Sequence, residues 1–178
     1  MVLYFFDIIF IYYINMKTSL QYLPKHLTRK DKNKQGRELL KSTRLYKKGI
    51  YHSRKKVKSF KSKKSSHIIK AKKLYNVDKI DATNTLAKAT GCSKKTLKQI
   101  ITKGIGAYYS SGSRPNQTGH SWGIARLASA ITSGKSAAVD YHLLEKGCNP
   151  NSKALLLAEK AKKKYGHGTR KVPKTKIV

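Results

Sequence analysis

Apolar positions recur at helical spacing along most of the chain after residue 16, and no run alternates at period two as a half-buried strand would. Thr28-Arg29-Lys30-Asp31 has capping-box spacing, with Asp in place of the usual Glu, and predicts a helix from Arg29 to Lys48 that stops at Gly49. Its apolar residues are few (Leu39, Leu40, Leu45 and Tyr46), so the helix has a narrow sticky stripe and is stable only when docked. A short helix is predicted over His67 to Tyr75. Asp81 or Thr83 caps a helix over 84–90 that ends at Gly91, and Ser93 caps another over 94–103 that ends at Gly104. Residues 105–118 read as a Gly/Ser/Pro/Asn-rich loop. Thr118 caps a helix to about Thr132, stopped by Gly134, and Ser136 to Lys146 is helical, stopped by Gly147. Pro150 and Ser152 introduce a last helix over 153–165, ended by Gly166. The predicted fold is mainly α, a small multi-helix domain containing a helix-turn-helix-like hairpin and carrying basic flexible extensions.

This pattern divides the chain into an apolar start (1–15), a basic arm with one or two helices (16–75), a helical core domain (76–166) and a basic tail (167–178). The start, MVLYFFDIIFIYYIN, is too short for a transmembrane helix and lacks the basic beginning and cleavage site of a signal peptide. A membrane anchor and an apolar tail packed on the core remain open. The favoured expectation is upstream sequence read through in error, with Met16 as the natural start, because Ile, Tyr, Phe, Asn and Lys are what AT-rich codons give.

Charge changes the picture most. Lys and Arg number 40 against 8 Asp and Glu, a formal net charge of +32 on 178 residues. Residues 1–16 carry −1, 17–75 carry +19, 76–150 carry +6 and 151–178 carry +8. A body this cationic repels itself and calls for a polyanion, and nucleic acid is the default because neutralised phosphates release condensed counterions. The run SRKKVKSFKSKKSS (53–66) is low in complexity and reads as solvated and mobile; its Lys55, Lys56, Lys58, Lys61, Lys63 and Lys64 are candidate phosphate contacts without sequence information. The two cysteines, Cys92 and Cys148, have no CxxC or His-cluster context. They imply no zinc site and are expected to be buried, reduced thiols, which suits an intracellular or virion setting.

Residues 83–103, TNTLAKATGCSKKTLKQIITK, carry the offsets of a DNA-binding helix-turn-helix. Ala87 is the small residue at the helix crossing, Gly91 the turn, and Leu86, Cys92, Leu97 and Ile100 the apolar residues that lock the second helix. That helix then turns Ser93, Lys94, Lys95, Lys98, Gln99 and Thr102 outward, where Lys and Gln can meet base edges or phosphates. An ordinary helical hairpin with a solvated lysine face fits equally well.

In the following loop, Ser110, Ser111, Gly112 and Ser113 stand beside Arg114 and lead into a helix N-terminus, a combination that attracts phosphate. The alternative is a rigid packed loop, with Arg114 bonding local carbonyls and Trp122 anchoring the core. His120, Asp140 and His142 offer acid–base chemistry, but nothing in their spacing brings them together, and no catalytic set is assigned. SAITSGKS (129–136) lacks the leading Gly and the preceding strand of a phosphate-binding P-loop, so Gly134 reads as a helix stop and Lys135 as a surface charge.

Four segments resemble an uncharacterised domain family of large eukaryotic DNA viruses and tailed phages. They are Thr90-Gly91-Cys92-Ser93 with Leu97-Lys98, Gly106-Ala107-Tyr108-Tyr109, Gly112 to Thr118 (GSRPNQT) and Ser121 to Ser129 (SWGIARLAS), followed by a Gly134-Lys135 turn and the acidic Asp140. The resemblance covers about residues 75–147 and implies a viral origin, with no activity to transfer. The expectation is therefore a viral nucleic-acid-binding protein, DNA before RNA, that packages or organises the genome in the virion or infected cell. A structural virion or minor capsid protein whose basic arms meet acidic capsid proteins or the inner membrane is the runner-up, and a phosphodiester-acting enzyme is third. No cofactor or metal is implied, and a membrane is not the expected partner.

Overall fold

Half of the capping box foreseen at Thr28 forms, and the partner of the Thr28 amide comes from 31 residues away. In the computed structural model, which describes residues 17–166 and 174–176, helix α1 spans Arg29–Tyr46 and the Thr28 hydroxyl accepts from the Asp31 amide. Asp31 does not reach back to Thr28. Its carboxylate accepts from the amide and hydroxyl of Ser59, both at 2.7 Å, and the Ser59 hydroxyl accepts from the Thr28 amide. The expectations for residues 1–15, and for most of the basic tail, lie outside the described residues. Residues 174–176 form a strand β2 that pairs antiparallel with β1, Lys17–Ser19, so that part of the predicted tail is ordered backbone.

The chain falls into two units interleaved in sequence. The first comprises Met1–Ser62, Tyr109–Thr118 and Lys171–Val178, and the second Lys63–Tyr108 and Gly119–Arg170. The predicted arm thus gains the central loop, and the helix at the arm's end belongs to the second unit.

In the first unit, the narrow stripe of α1 (Leu39 and Leu40, with Gln35, Gly36 and Ser42) is buried, as a helix stable only when docked requires. The lysine-rich run that follows corrects the expectation of a solvated, mobile segment. It lacks secondary structure, but from Arg54 to Phe60 it is a strap held at every second or third residue. The Lys55 amide donates to Glu38 at 2.9 Å. Val57 is buried, its amide donates to the Asn116 carboxamide oxygen, and its carbonyl and that of Phe60 accept from the Asn116 amide group. Arg54 donates to the hydroxyls of Ser113, at 2.6 Å, and Ser42. Composition alone suggests a coil; what overrides it is the satisfaction of strap amides and carbonyls by side chains of α1 and the loop.

Among the described residues the second unit packs seven helices: α2 (Ser66–Tyr75), α3 (Asn84–Thr90), α4 (Lys94–Ser110, which runs on into the first unit), α5 (Gly119–Ala130), α6 (Lys135–Val139), α7 (Tyr141–Gly147) and α8 (Lys153–Tyr165). Leu86, Leu97, Ile100, Leu127, Ile131 and Leu144 are fully enclosed, and alanines at 71, 128, 137, 154, 158 and 161 let the helices approach closely. The Tyr75 hydroxyl donates to the Ile131 carbonyl at 2.7 Å, and burial raises its pKa.

Three boundaries depart from the sequence reading. Gly104 lies inside α4 and does not end it; a Cβ there would stand 2.6 Å from the Gly123 Cα, so both glycines permit the crossing of α4 and α5. The predicted helix over 136–146 is two helices divided at Asp140. The left-handed residue before α6 is Ser133 (φ 58), and Gly134 is the N-cap, glycine because any side chain would collide with Ser129.

Candidate nucleic-acid interface

Each end of the α3–α4 connection is built by local chemistry. The Thr83 hydroxyl caps α3 by accepting from Leu86. Gly91, at φ +69, closes it in a Schellman motif, in which the Cys92 amide reaches the Ala87 carbonyl. Ser93 caps α4, its hydroxyl accepting from the Thr96 amide. The three-residue turn is then fastened from outside. The Ser93 amide donates to the Gly147 carbonyl at 2.7 Å, the Asn149 amide donates to the Gly91 carbonyl at 2.8 Å, and Cys92 and Cys148 lie between them as a disulfide, S–S 2.01 Å. The expectation of two reduced thiols is therefore corrected. The residues are 56 apart, and what joins them is the antiparallel bridge between the turn and the α7–α8 connection, which sequence spacing does not reveal. Gly147 packs directly on Thr96, leaving no room for a side chain.

On this fastened helix, Leu97, Ile100 and Ile101 face the core, while Lys94, Lys95, Lys98, Gln99 and Thr102 are exposed. Lys94, Lys98 and Thr102 fall at four-residue intervals, a stripe about 12 Å long at 1.5 Å per residue, comparable to the width of a DNA major groove. None of the three lysines has an ion-pair partner among the described residues. Ser93 is also exposed, but its hydroxyl is committed to the cap.

Asp140 is one of the residues that sequence reasoning left without a role. It is fully buried where α6 meets α7 and holds two cations: Arg126 of α5 in a two-point fork at 2.7 and 2.8 Å, and Lys103 of α4 at 2.8 Å. Both carboxylate oxygens are engaged, and among the described residues neither His120 nor His142, both exposed, is bonded to it. The acid–base trio considered from sequence is not brought together. Lys135 is exposed, with its ammonium 6.0 Å from the Tyr165 ring.

In the first unit, the Ser/Gly loop turns inward. Ser113 is fully buried, its hydroxyl accepts from Arg54 and donates to the Arg114 carbonyl, and its own carbonyl accepts from Gln35. Gly112 (φ +96) packs against Leu39 and Tyr22. Of the hydroxyls expected to cradle phosphate, that of Ser113 is thus engaged in packing, while those of Ser110 and Ser111 bond each other at the surface, and the bracing arginine is Arg54, hidden in a lysine run. Arg114 itself is exposed, with no side-chain hydrogen bond or ion pair among the described residues. Trp122 is half-buried, where the sequence suggested a buried core anchor. The strap lysines Lys55, Lys56 and Lys58 are exposed although their backbone is anchored, Lys61 just beyond the strap is exposed, and Lys63 and Lys64 are exposed in the second unit.

Among the described residues, no group of three or more His, Cys, Asp or Glu could hold a metal ion, and no helix is long and apolar enough to cross a membrane. These features define a small, mainly helical, strongly basic protein with exposed cations on rigid supports. A family model matches residues 20–154, and the chain belongs to that family, described as a family of unknown function (DUF5824). No curated protein and no solved structure matches the chain.

Proposed function

We propose that this protein binds nucleic acid, with duplex DNA as its principal ligand, and that it packages or organises a viral genome. The observation that carries the reading is the α4 stripe: Lys94, Lys95 and Lys98 exposed and without an ion-pair partner among the described residues, beside Gln99 and Thr102, on a helix whose preceding turn is fastened by a disulfide and two backbone hydrogen bonds. A preorganised cationic helix loses little freedom on binding. Lys and Gln supply the donors and acceptors that phosphates and base edges require. Lys55, Lys56, Lys58, Lys61, Lys63, Lys64 and Arg114 add affinity without selectivity. The viral setting is supported by the sequence resemblance.

The test is titration of labelled duplex DNA at several salt concentrations, with single-stranded DNA and RNA as parallel arms. Affinity should fall log-linearly with salt. Replacing Lys94, Lys95 and Lys98 by Gln should flatten the slope by about 2 to 3, near 0.9 for each phosphate that is no longer neutralised. Binding that ignores salt, or a slope unmoved by the triple substitution, overturns the assignment of this face.

A further inference from the structure

We propose that Tyr51, with Tyr46 and Tyr109, forms a platform on which unpaired bases of a single-stranded nucleic acid stack. The Tyr46 and Tyr109 rings lie nearly parallel (8°) with centroids 6.2 Å apart, and Tyr51 stands edge-on to both, 5.8 Å from Tyr46 and 5.0 Å from Tyr109. Tyr51 is nevertheless 66% exposed and its neighbour Ile50 52% exposed.

An exposed aromatic is unremarkable when it is loose, but this one is held on both sides. Before it, α1 closes in a Schellman motif: Gly49 (φ +76) donates to the Tyr46 carbonyl and Ile50 to the Leu45 carbonyl. After it, His52 bonds Glu38 at 3.0 Å and the Lys55 amide bonds the same carboxylate. The Tyr109 backbone is held as well, its carbonyl accepting from Ser42 and that of Ser110 from Thr43. The ring is therefore placed before any ligand arrives, which lowers the cost of binding.

The surrounding charge selects the ligand. Arg44, Lys47 and Lys48 are exposed around the end of α1, with no ion-pair partner among the described residues. Aromatic faces interleaved with cations match a strand that offers bases and phosphates together, whereas a duplex keeps its base faces stacked inside. The inference rests on the nucleic-acid reading but uses a different surface, so the two can fail separately.

The full chain, as wild type, Tyr51→Leu and Tyr51→Phe, is titrated with a labelled oligothymidylate of ~20 nucleotides, an abasic strand of equal length and a duplex. The wild type should prefer the base-bearing strand to the abasic one. Tyr51→Leu should lose about tenfold on the oligothymidylate, roughly the worth of one base–aromatic stack, and nothing on the abasic strand or duplex. Tyr51→Phe, which keeps the ring, should bind like the wild type. An oligouridylate showing the same dependence supports the platform for RNA as well. Equal losses on base-bearing and abasic strands, or no loss at all, overturn the platform while leaving duplex binding intact. Failure of the wild type to bind any probe overturns both readings.

Discussion

Asp140 offers a sharp test of how this fold holds together. Its carboxylate is fully buried and is shared by Arg126, whose side chain is 19% exposed, and Lys103, 40% exposed. Asp140→Asn keeps the shape and removes the charge, leaving two cations against each other with no anion between them. Removing one partner of a buried pair costs about 3–5 kcal/mol. The exposure of Lys103 lets water take back part of its charge, so the low end applies, about 3 kcal/mol. In a chain of this length that is a fall of roughly 6–12 °C in Tm. Urea and thermal unfolding followed by circular dichroism would measure it. Adding Arg126→Met to Asp140→Asn should cost less than the sum of the single changes, with a coupling of about 1–3 kcal/mol, because the second change removes the cation the first left stranded. High salt should partly rescue Asp140→Asn by screening the repulsion. A single mutant within about 1 kcal/mol of wild type, with additive double-mutant effects, would show that the three helices are held by apolar packing and that the fork is incidental.

Two further outcomes follow from the fastenings. The disulfide closes a loop between residues 56 apart, which in the chain-entropy model is worth about 4 kcal/mol, so reduction or the Cys92→Ser/Cys148→Ser pair should lower the urea midpoint accordingly. Identical midpoints for the oxidised and reduced protein, with the thiols verified by alkylation, would sink that estimate. The strap should be acid-sensitive. Hydrogen bonds from the Ser59 amide and hydroxyl hold Asp31 below its ordinary 3.8. Burial alone would raise Glu38 above 4.5, but the Lys55 amide and His52 outweigh it and hold it lower. Both carboxyls are thus more acidic folded than unfolded, so their contribution is complete above about pH 4.5 and is lost as pH falls through the lowered values. The Lys55 and Ser59 amide resonances should titrate below 4.5 and 3.8 respectively, and midpoints at or above those values would contradict the hydrogen bonds.

The parts of the fold written in local residues were legible. α3 and α8 begin and end where their Thr83 and Ser152 caps and the following glycines place them, because those signals act within one turn of helix. Glycine misleads where its purpose is distant: Gly104 meets Gly123 and Gly134 meets Ser129, and neither stops the helix before it. The strap was illegible because its anchors, Asn116 and Ser113, lie 59 residues from the groups they hold. On the candidate face, the outward positions of α4 followed from helical period alone, whereas the tyrosine platform joins Tyr109 to residues far earlier in the chain and left no local trace.

The scarcity of acid in this chain bears directly on its charge. Only 8 residues are acidic, and the structure commits several of them to internal fastening. Asp31 holds Ser59, Glu38 holds His52 and the Lys55 amide, Asp81 takes the Ala82 amide along with Lys79, and Asp140 gathers Arg126 and Lys103. Carboxylates committed to backbone amides, hydroxyls and one or two cations each leave nearly all surface lysines without an acidic partner among the described residues. The 40 basic residues outnumber the acids fivefold, and among the described residues most lysines are exposed. Self-repulsion on that scale destabilises the compact state unless fastenings of high local strength oppose it, and the disulfide, the Asp140 fork and the pinned strap are fastenings of that kind. The same arrangement supports a polyanion ligand. Each phosphate that replaces a counterion also relieves repulsion within the protein, so the bound form should be more heat-stable than the free one, most of all at low salt.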